Sequence, residues 1–341
     1  MQSTAYKPND ADRAIDLSFI IPCHNESGNV IPLATAIADQ FGDKGICCEI
    51  VFVDDGSNDT TLDELRQIVV EPPISSKTGL SPAVSVISFS RNFGKESALY
   101  AGMEEASGET ICFIDADLQQ SPETAYNMYR YLIEHEDCDI VAAYQDRRHE
   151  NKFIAWLKER FYRVFNATSD EIELPPNMSD FRVFRKSVAQ ALLSMPERFR
   201  FSKGLFAWVG FNTHAIPYIA GERLNGKSNW NLRSLFKYAF SGITSFSTWP
   251  LKMLKFIGGT VFVLSGLYLL WVLIVDYLIF GVEIPGYTTL VSLLLIFGGL
   301  QLAAIGIVGD YLARSYIEGK QRPLYIVRER FGPATDNPQA M

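Results

Sequence analysis

The sequence predicts an α/β domain, a mostly parallel sheet with helices on both faces, followed by a segment embedded in a membrane. Two observations carry that expectation. Through the first half of the 341 residues, short β-prone apolar runs alternate with helical patterns, and repeated strand-helix units build parallel sheets covered on both sides. In the last third, two apolar stretches each exceed the roughly 20 residues needed to cross a bilayer. A chain of this length holds one large or two modest domains with a proper core. The net charge of −8 argues against nucleic acid as a partner. Five cysteines show no C-x-x-C spacing, and most lie in or beside strand-like runs, so they read as buried thiols of a reducing compartment. Residues 1–16 are polar and carry no signal-peptide core, so everything before about residue 240 reads as cytosolic.

Leu17 to Pro22 is an apolar run stopped by proline, and His24-Asn25-Glu26-Ser27-Gly28 follows it. Val30, Leu33, Ala34, Ile37 and Phe41 then recur at helical spacing. Glu49 to Val53 is the next strand and runs into Asp54-Asp55-Gly56-Ser57, after which Asp59-Thr60-Thr61 can cap a helix to Val69. Residues 71–82, rich in Pro and Ser, form a loop before the strand Val84 to Phe89. Arg91-Asn92-Phe93-Gly94-Lys95 opens a helix to about Ala106, and Gly108 separates it from the strand Ile111 to Ile114. Ser121-Pro122-Glu123 is a helix start, with serine as cap and proline in the first turn. Asp139 to Ala143 closes the series as a strand.

The strand at Ile111 ends in Asp115-Ala116-Asp117. Two carboxylates this close repel, and both stay ionised only beside a compensating cation, such as Mg²⁺ or Mn²⁺ with its preference for oxygen ligands. Taken alone the pair reads more readily as a polar turn, where Asp is common. Ligands of such sheets bind beyond the carboxyl ends of the strands, however, and Asn25-Glu26, Asp54-Asp55, Arg91 to Lys95 and Asp115 to Asp117 all fall there. No G-x-G-x-x-G follows the first strand and no phosphate-binding P-loop is expected, so dinucleotide dehydrogenase and P-loop NTPase lose support. Between Gln145 and Arg200 lies a basic segment with Arg147, Arg160, Arg163 and Arg182, which reads either as a phosphate clamp or as a solvated helix face.

Past Leu232, Leu235, Phe236, Ala239, Phe240, Ile243 and Phe246 mark an amphipathic helix, either an ordinary core helix or one lying in the bilayer interface with Trp249 as anchor. Phe256 to Phe280 and Tyr287 to Val308 are the two candidate spans, and the short connection between them carries no Lys or Arg. Lys252 and Lys255 before the first span, and Arg314, Lys320 and Arg322 after the second, place both ends in the cytoplasm. Gly298, Gly299, Ala303, Ala304 and Gly306 suit close helix packing within the chain or in a homo-oligomer. The expected organisation is a tail over 1–16, a catalytic domain over 17–230, an interfacial helix over 231–252, a transmembrane hairpin over 253–313 and a cytosolic tail over 314–341.

Ile21-Pro22-Cys23-His24-Asn25-Glu26, Val53-Asp54-Asp55-Gly56-Ser57-Asn58-Asp59, Asp115-Ala116-Asp117-Leu118-Gln119, Ser179-Asp180-Phe181-Arg182 and Gly226-Lys227-Ser228-Asn229-Trp230 together resemble glycosyltransferase family 2. Within it the chain is similar to polyprenyl-phosphate glycosyltransferases, including bactoprenol glucosyltransferases and dolichol-phosphate mannose synthases. The resemblance spans about residues 17–315 and departs from the usual pattern at His24 and at Gln120-Ser121-Pro122. It implies a GT-A-type fold and an inverting transfer of one sugar from a nucleotide sugar to a polyprenyl phosphate at the inner face of the cytoplasmic membrane. UDP-glucose is the favoured donor and GDP-mannose the alternative. It further implies that Pro22, Asn25, Glu26, Asp54 or Asp55, Lys95, Asp115 and Ala116 hold the nucleotide sugar. Asp115, Asp117 and Gln119 would bind Mg²⁺ or Mn²⁺, and Arg147, Arg160, Arg163 and Arg182 the acceptor phosphate. Asp180 would orient the acceptor, act as a base, or simply pair with Arg182. A processive polysaccharide synthase fits less well, because no Gln-x-x-Arg-Trp occurs and two spans are too few for a channel. A non-catalytic nucleotide-binding scaffold is the remaining alternative.

Overall fold

Wherever the first half carries an uninterrupted run of β-branched, aromatic and leucine side chains, the chain forms a strand buried on both faces. The computed structural model describes residues 14–145, 159–160, 162–163, 165–169, 172–175, 178–219, 221, 249–271 and 286–332. The alternation is β1 (Leu17–Cys23), α1 (Val30–Gly42), β2 (Cys48–Asp54), α2 (Thr61–Val70), β3 (Ala83–Phe89), α3 (Lys95–Glu105), β4 (Thr110–Phe113), α4 (Pro122–Glu134) and β5 (Ile140–Gln145). Then come β6 (Met178–Arg185), α5 (Lys186–Leu193), α6 (Ser202–Trp208), β7 (Thr213–Tyr218), α7 (Trp249–Trp271), α8 (Tyr287–Gly319) and β8 (Val327–Phe331).

The strands make one eight-stranded sheet in the order β7-β5-β6-β4-β1-β2-β3-β8. β1 lies parallel to β2 and β4, β2 to β3, and β5 to β7, whereas β6 and β8 are antiparallel to their neighbours. Cys23 stands opposite Asp54, so β1 and β2 end level and deliver their loops to one edge. The fold is therefore mixed α/β with a mostly parallel sheet.

Helix α1 covers one face by burying Val30, Leu33, Ala34, Ile37 and Phe41, the stripe its spacing predicts. Phe41 meets Phe19 edge-on at 4.9 Å between ring centres. Each such fully buried side chain contributes about 1.5–3 kcal/mol, which holds α1 against the sheet. Ser121 caps α4 by accepting from the Thr124 amide, with Pro122 in the first turn, as expected. At α2 the capping oxygen comes from Asp59, which accepts from the Thr61 amide at 3.0 Å, rather than from Thr60.

The chain divides into two compact units, 1–162 with 174–231 and 323–341, and 163–173 with 232–322. In the second unit, α7 and α8 touch one another. Among the described residues one helical stretch, Trp249–Tyr268, is long and apolar enough to cross a membrane. The helix thus starts ahead of the expected span at Phe256 and takes in Trp249, Lys252 and Lys255. The expected second span falls on α8. Most of the expected interfacial helix, the end of the first span and most of the connection, 222–248 and 272–285, lie outside the described residues.

The segment expected as a tail beyond residue 314 is instead helix to Gly319 and then strand. β8 closes the β3 edge of the sheet. Tyr325 stacks on Phe89 at 4.8 Å and its hydroxyl donates to Glu104. Arg66 holds Glu329 at 2.9 Å, the Ser90 amide donates to the Ile326 carbonyl, and the Ser97 hydroxyl donates to the Leu324 carbonyl.

Candidate active site

The loops after β1, β2, β3 and β4 meet at one edge because those strands are parallel and adjacent. Asp54 and Asp55 leave β2 there and are buried, 1% and 3% exposed. Asp54 accepts from the Ser57 amide at 3.1 Å and from the Ser88 hydroxyl at 2.8 Å. Asp55 accepts from the Phe93 and Gly94 amides at 2.6 and 2.9 Å, which pins the loop ahead of α3. Burial pushes the Asp55 carboxyl above the usual carboxylate range, and the two amides offset part of that. Gly56 has φ +67°, and a Cβ there would lie 2.6 Å from the Arg91 carbonyl carbon, so glycine is what lets the two loops approach.

The loop after β1 is tied to the same place. Asn25, with φ 58°, donates through its amide to Ser57 Oγ and accepts from the Asn58 amide at 2.8 Å. The Glu26 amide donates to Thr61 Oγ1, and its carboxylate accepts from Asn29. His24 Nδ1 lies 3.1 Å from the Asp55 carbonyl oxygen. Pro22 sits half-buried at the end of β1. The result is a shelf with exposed Asn25 at its rim and buried Asp54 and Asp55 beneath.

Beyond β4 the chain carries Asp115, buried Ala116 and Asp117 into a turn in which Leu118 has φ 62°. Lys95, the first residue of α3, places its ammonium 2.6 Å from Asp115 Oδ1 and 3.5 Å from Asp180 Oδ2. Gln120 accepts from the Asp115 amide and donates to Asp115 Oδ2 at 3.1 Å. Asp117 Oδ1 accepts from the Gln119 amide at 3.1 Å. Asp180 reaches the cluster because β6 runs antiparallel beside β4, with Arg182 opposite Phe113. Partial burial works against the Lys95 charge, yet Asp115 and Asp180 outweigh it and hold the ammonium well above the ordinary lysine range. Burial likewise works against the Asp180 carboxylate, but Lys95, Lys203 and Arg182 together leave it below the usual carboxylate range.

The structure thus brings together Lys95, Asp115 and Asp180 in one cluster, and Asn25, Asp54 and Asp55 in another at the same sheet edge. Arg182 is 4% exposed, with its guanidinium 4.3 Å over the Phe206 ring. Arg160 and Arg163 are exposed and fall on either side of the division between the two units. Arg147 and the Gly226 to Trp230 motif lie outside the described residues. Sequence reasoning missed Lys203 on α6 and Gln120, whose side chain grips both the amide and the carboxylate of Asp115. The signal for Gln120 was its place inside the Asp115 turn.

One expectation from sequence needs correction. Gly221 and Gly226-Lys227-Ser228 do match the G-x-x-x-x-G-K-[ST] spacing of a P-loop. Only Gly221 of that stretch is described, and its amide donates to the Gln119 carbonyl at 2.9 Å. It is tied to the turn that carries Asp117, and the spacing alone does not make a nucleotide cradle.

Among the described residues no three His, Cys, Asp or Glu side chains gather to hold a metal ion. Asp115 and Asp117 stand two residues apart in the turn after β4, with Gln119 two residues further on. Their side chains offer hard oxygens of the kind Mg²⁺ and Mn²⁺ take, and the Lys95 ammonium already seated on Asp115 shows that the site draws positive charge. The residues present therefore fit such an ion.

Residues 18–193 match glycosyl transferase family 2. The chain is 37% identical over 313 residues to the bactoprenol glucosyl transferase of Shigella phage SfV, covering 92% of this chain and 98% of that one. It is 36% identical over 313 residues to the prophage bactoprenol glucosyl transferase homolog of Escherichia coli strain K12, with the same coverage. Among solved structures, glucosyl-3-phosphoglycerate synthase from Mycobacterium tuberculosis is similar at 17% identity and a TM-score of 0.45, covering 69% of this chain and 77% of that one. The motifs at the sheet edge and the match across most of the length lead to one assignment: the chain belongs to glycosyl transferase family 2.

Proposed function

We propose that the protein moves one sugar from a nucleotide sugar, with UDP-glucose as donor, to a polyprenyl phosphate at the cytoplasmic face of the membrane, with inversion at the anomeric carbon. The observation that carries this reading is the Lys95 ammonium held between Asp115 and Asp180 at the edge where the loops after β1 and β2 also meet. The named bactoprenol glucosyl transferases support the acceptor and the sugar.

In this reading the shelf made by Pro22, Asn25, Glu26, Asp54 and Asp55 receives the base and ribose, and Lys95 with Ala116 lies along the diphosphate. An oxygen of the lipid phosphate attacks the anomeric carbon, the bond to the diphosphate breaks, and its electron pair leaves with the nucleotide diphosphate. Asp115, Asp117 and Gln119 would hold Mg²⁺ or Mn²⁺, which neutralises charge on the departing diphosphate. The acceptor's second ionisation lies near pH 6, so it arrives as a dianion and no strong general base is required. Asp180, ionised and bonded to Lys95, orients the acceptor rather than removing a proton.

The membrane reading rests on connectivity. The chain leaves the first unit after β7 and returns to it at Pro323, and β8 joins the sheet that holds β7. A chain that crosses a bilayer and returns to the same sheet crosses an even number of times. With Trp249–Tyr268 as one crossing, α8 supplies the second, and both ends are cytoplasmic. The apolar side chains of Phe256, Val263, Leu264 and Leu267 are exposed as lipid contact requires.

The test uses membranes carrying the protein, a labelled nucleotide sugar and added polyprenyl phosphate. A single sugar transferred to a chloroform-soluble product supports the proposal. Polymer would instead favour a processive synthase, and tight nucleotide binding without transfer a non-catalytic scaffold.

A further inference from the structure

Ser202 and Phe206 pack α6 against the elements that carry Lys95, Asp115 and Asp180, although no sequence motif marks that helix. Ser202, at the start of α6, is 8% exposed and gives its amide to Glu96 Oε1 at 3.1 Å and its hydroxyl to Glu96 Oε2. Glu96 is the residue after Lys95, so this contact locks the start of α6 to the start of α3. Phe206 packs edge-on against Phe113 at 5.9 Å and Phe184 at 5.1 Å, and lies beneath the Arg182 guanidinium. Phe113 ends β4 two residues before Asp115. Lys203 stands three residues before Phe206 and so shares that face of the helix.

The charges explain why a further cation is needed there. Lys95 is engaged by Asp115 and Asp180, and Arg182 is buried against Phe206. A dianionic phosphate brought towards the Asp180 carboxylate meets like charge unless another cation stands beside it. Lys203 is half-buried, and its charge is one of those that favour the ionised Asp180. Lysine suits the task as a compact point charge with three donors on a flexible stem.

We propose that Lys203, placed by the Glu96–Ser202 contact and the Phe206 packing, binds the phosphate of the acceptor beside Lys95 and Asp180. The inference rests on the proposed transfer to a polyprenyl phosphate and names the residue that receives its charged end. It assigns the anchoring role to α6, whereas the sequence directed attention to arginines between Gln145 and Arg200.

Steady-state transfer by Lys203→Met, Lys203→Gln and Lys203→Arg, with the full chain in membranes, tests this. Loss of one charge-assisted contact raises the KM for polyprenyl phosphate about tenfold or more in the Met and Gln variants. UDP binding by calorimetry stays within about twofold of wild type, and Lys203→Arg recovers most of the acceptor affinity, since charge is what the contact needs. An unchanged acceptor KM in a folded Met or Gln variant overturns the inference, as does an equal loss of UDP affinity. A wild-type protein that transfers no sugar to polyprenyl phosphate overturns the underlying reading instead, so the two failures are distinct.

Discussion

Asp180 differs from the other carboxylates of the site in what surrounds it. Burial disfavours its charge, but Lys95 at 3.5 Å, with Lys203 and Arg182, holds its carboxyl below the usual carboxylate range. A depressed value means that the ionised form persists to lower pH than in an ordinary aspartate. Asp180 therefore places no acid limb on transfer in the neutral range. The acceptor phosphate does, because its second proton returns near pH 6. We expect kcat/KM for polyprenyl phosphate to fall as pH drops through about 6, measured over pH 4.5 to 8 as an experimental window; a profile flat to about 4.5 would assign the limb to a carboxylate instead. Asp115 and Asp117 were legible in the sequence because they follow an apolar strand and share its edge with three other polar clusters, and Asp180 through the resemblance carried by Ser179-Asp180-Phe181-Arg182. Lys203 and Gln120 were not, since one lies on a short helix and the other reads as a turn residue.

At the scale of the element, β8 shows how a short strand can reach the core of a distant region. Tyr325 covers Phe89 and donates to Glu104 on α3, the helix whose first residue is Lys95. Removing that ring takes away stacked area and the hydrogen bond to Glu104. Tyr325→Ala should lower the stability of the sheet-bearing unit by about 1–3 kcal/mol, read from urea unfolding of the protein in detergent. An unfolding midpoint equal to wild type would show that β8 does not brace α3. The strands β1 to β5 were visible in sequence as apolar runs of strand length, and α1 as a stripe with helical spacing. β8 was hidden because Val327-Arg328-Glu329-Arg330-Phe331 sets three consecutive charged residues between two apolar ones and so shows no apolar run or alternation. Its partner is β3, more than 200 residues earlier in sequence, and no local pattern announces such a pairing.

For the molecule as a whole, the chain leaves the sheet-bearing unit and later returns to it. In the proposed membrane reading, the excursion between β7 and β8, which belong to one sheet, returns to the side it left. A reporter fused after residue 341 and one inserted near Glu283 should therefore lie on opposite sides of the membrane, the first cytoplasmic. Finding both on the same side would remove α8 as a crossing. The apolar stretches themselves were plain in the sequence. What it did not disclose is that the chain comes back to the sheet, since the last residues read as a polar tail.

The central claim is a cation-assisted transfer of one sugar to a lipid phosphate at the Asp115–Asp117 edge. Its most direct test is the transfer assay with labelled UDP-glucose and polyprenyl phosphate, run on wild type and on Asp117→Ala, with thermal melts of both. The account predicts one labelled sugar in a chloroform-soluble product, dependent on added Mg²⁺ or Mn²⁺ and lost in Asp117→Ala, whose melting curve matches wild type. Near wild-type turnover by Asp117→Ala would contradict it.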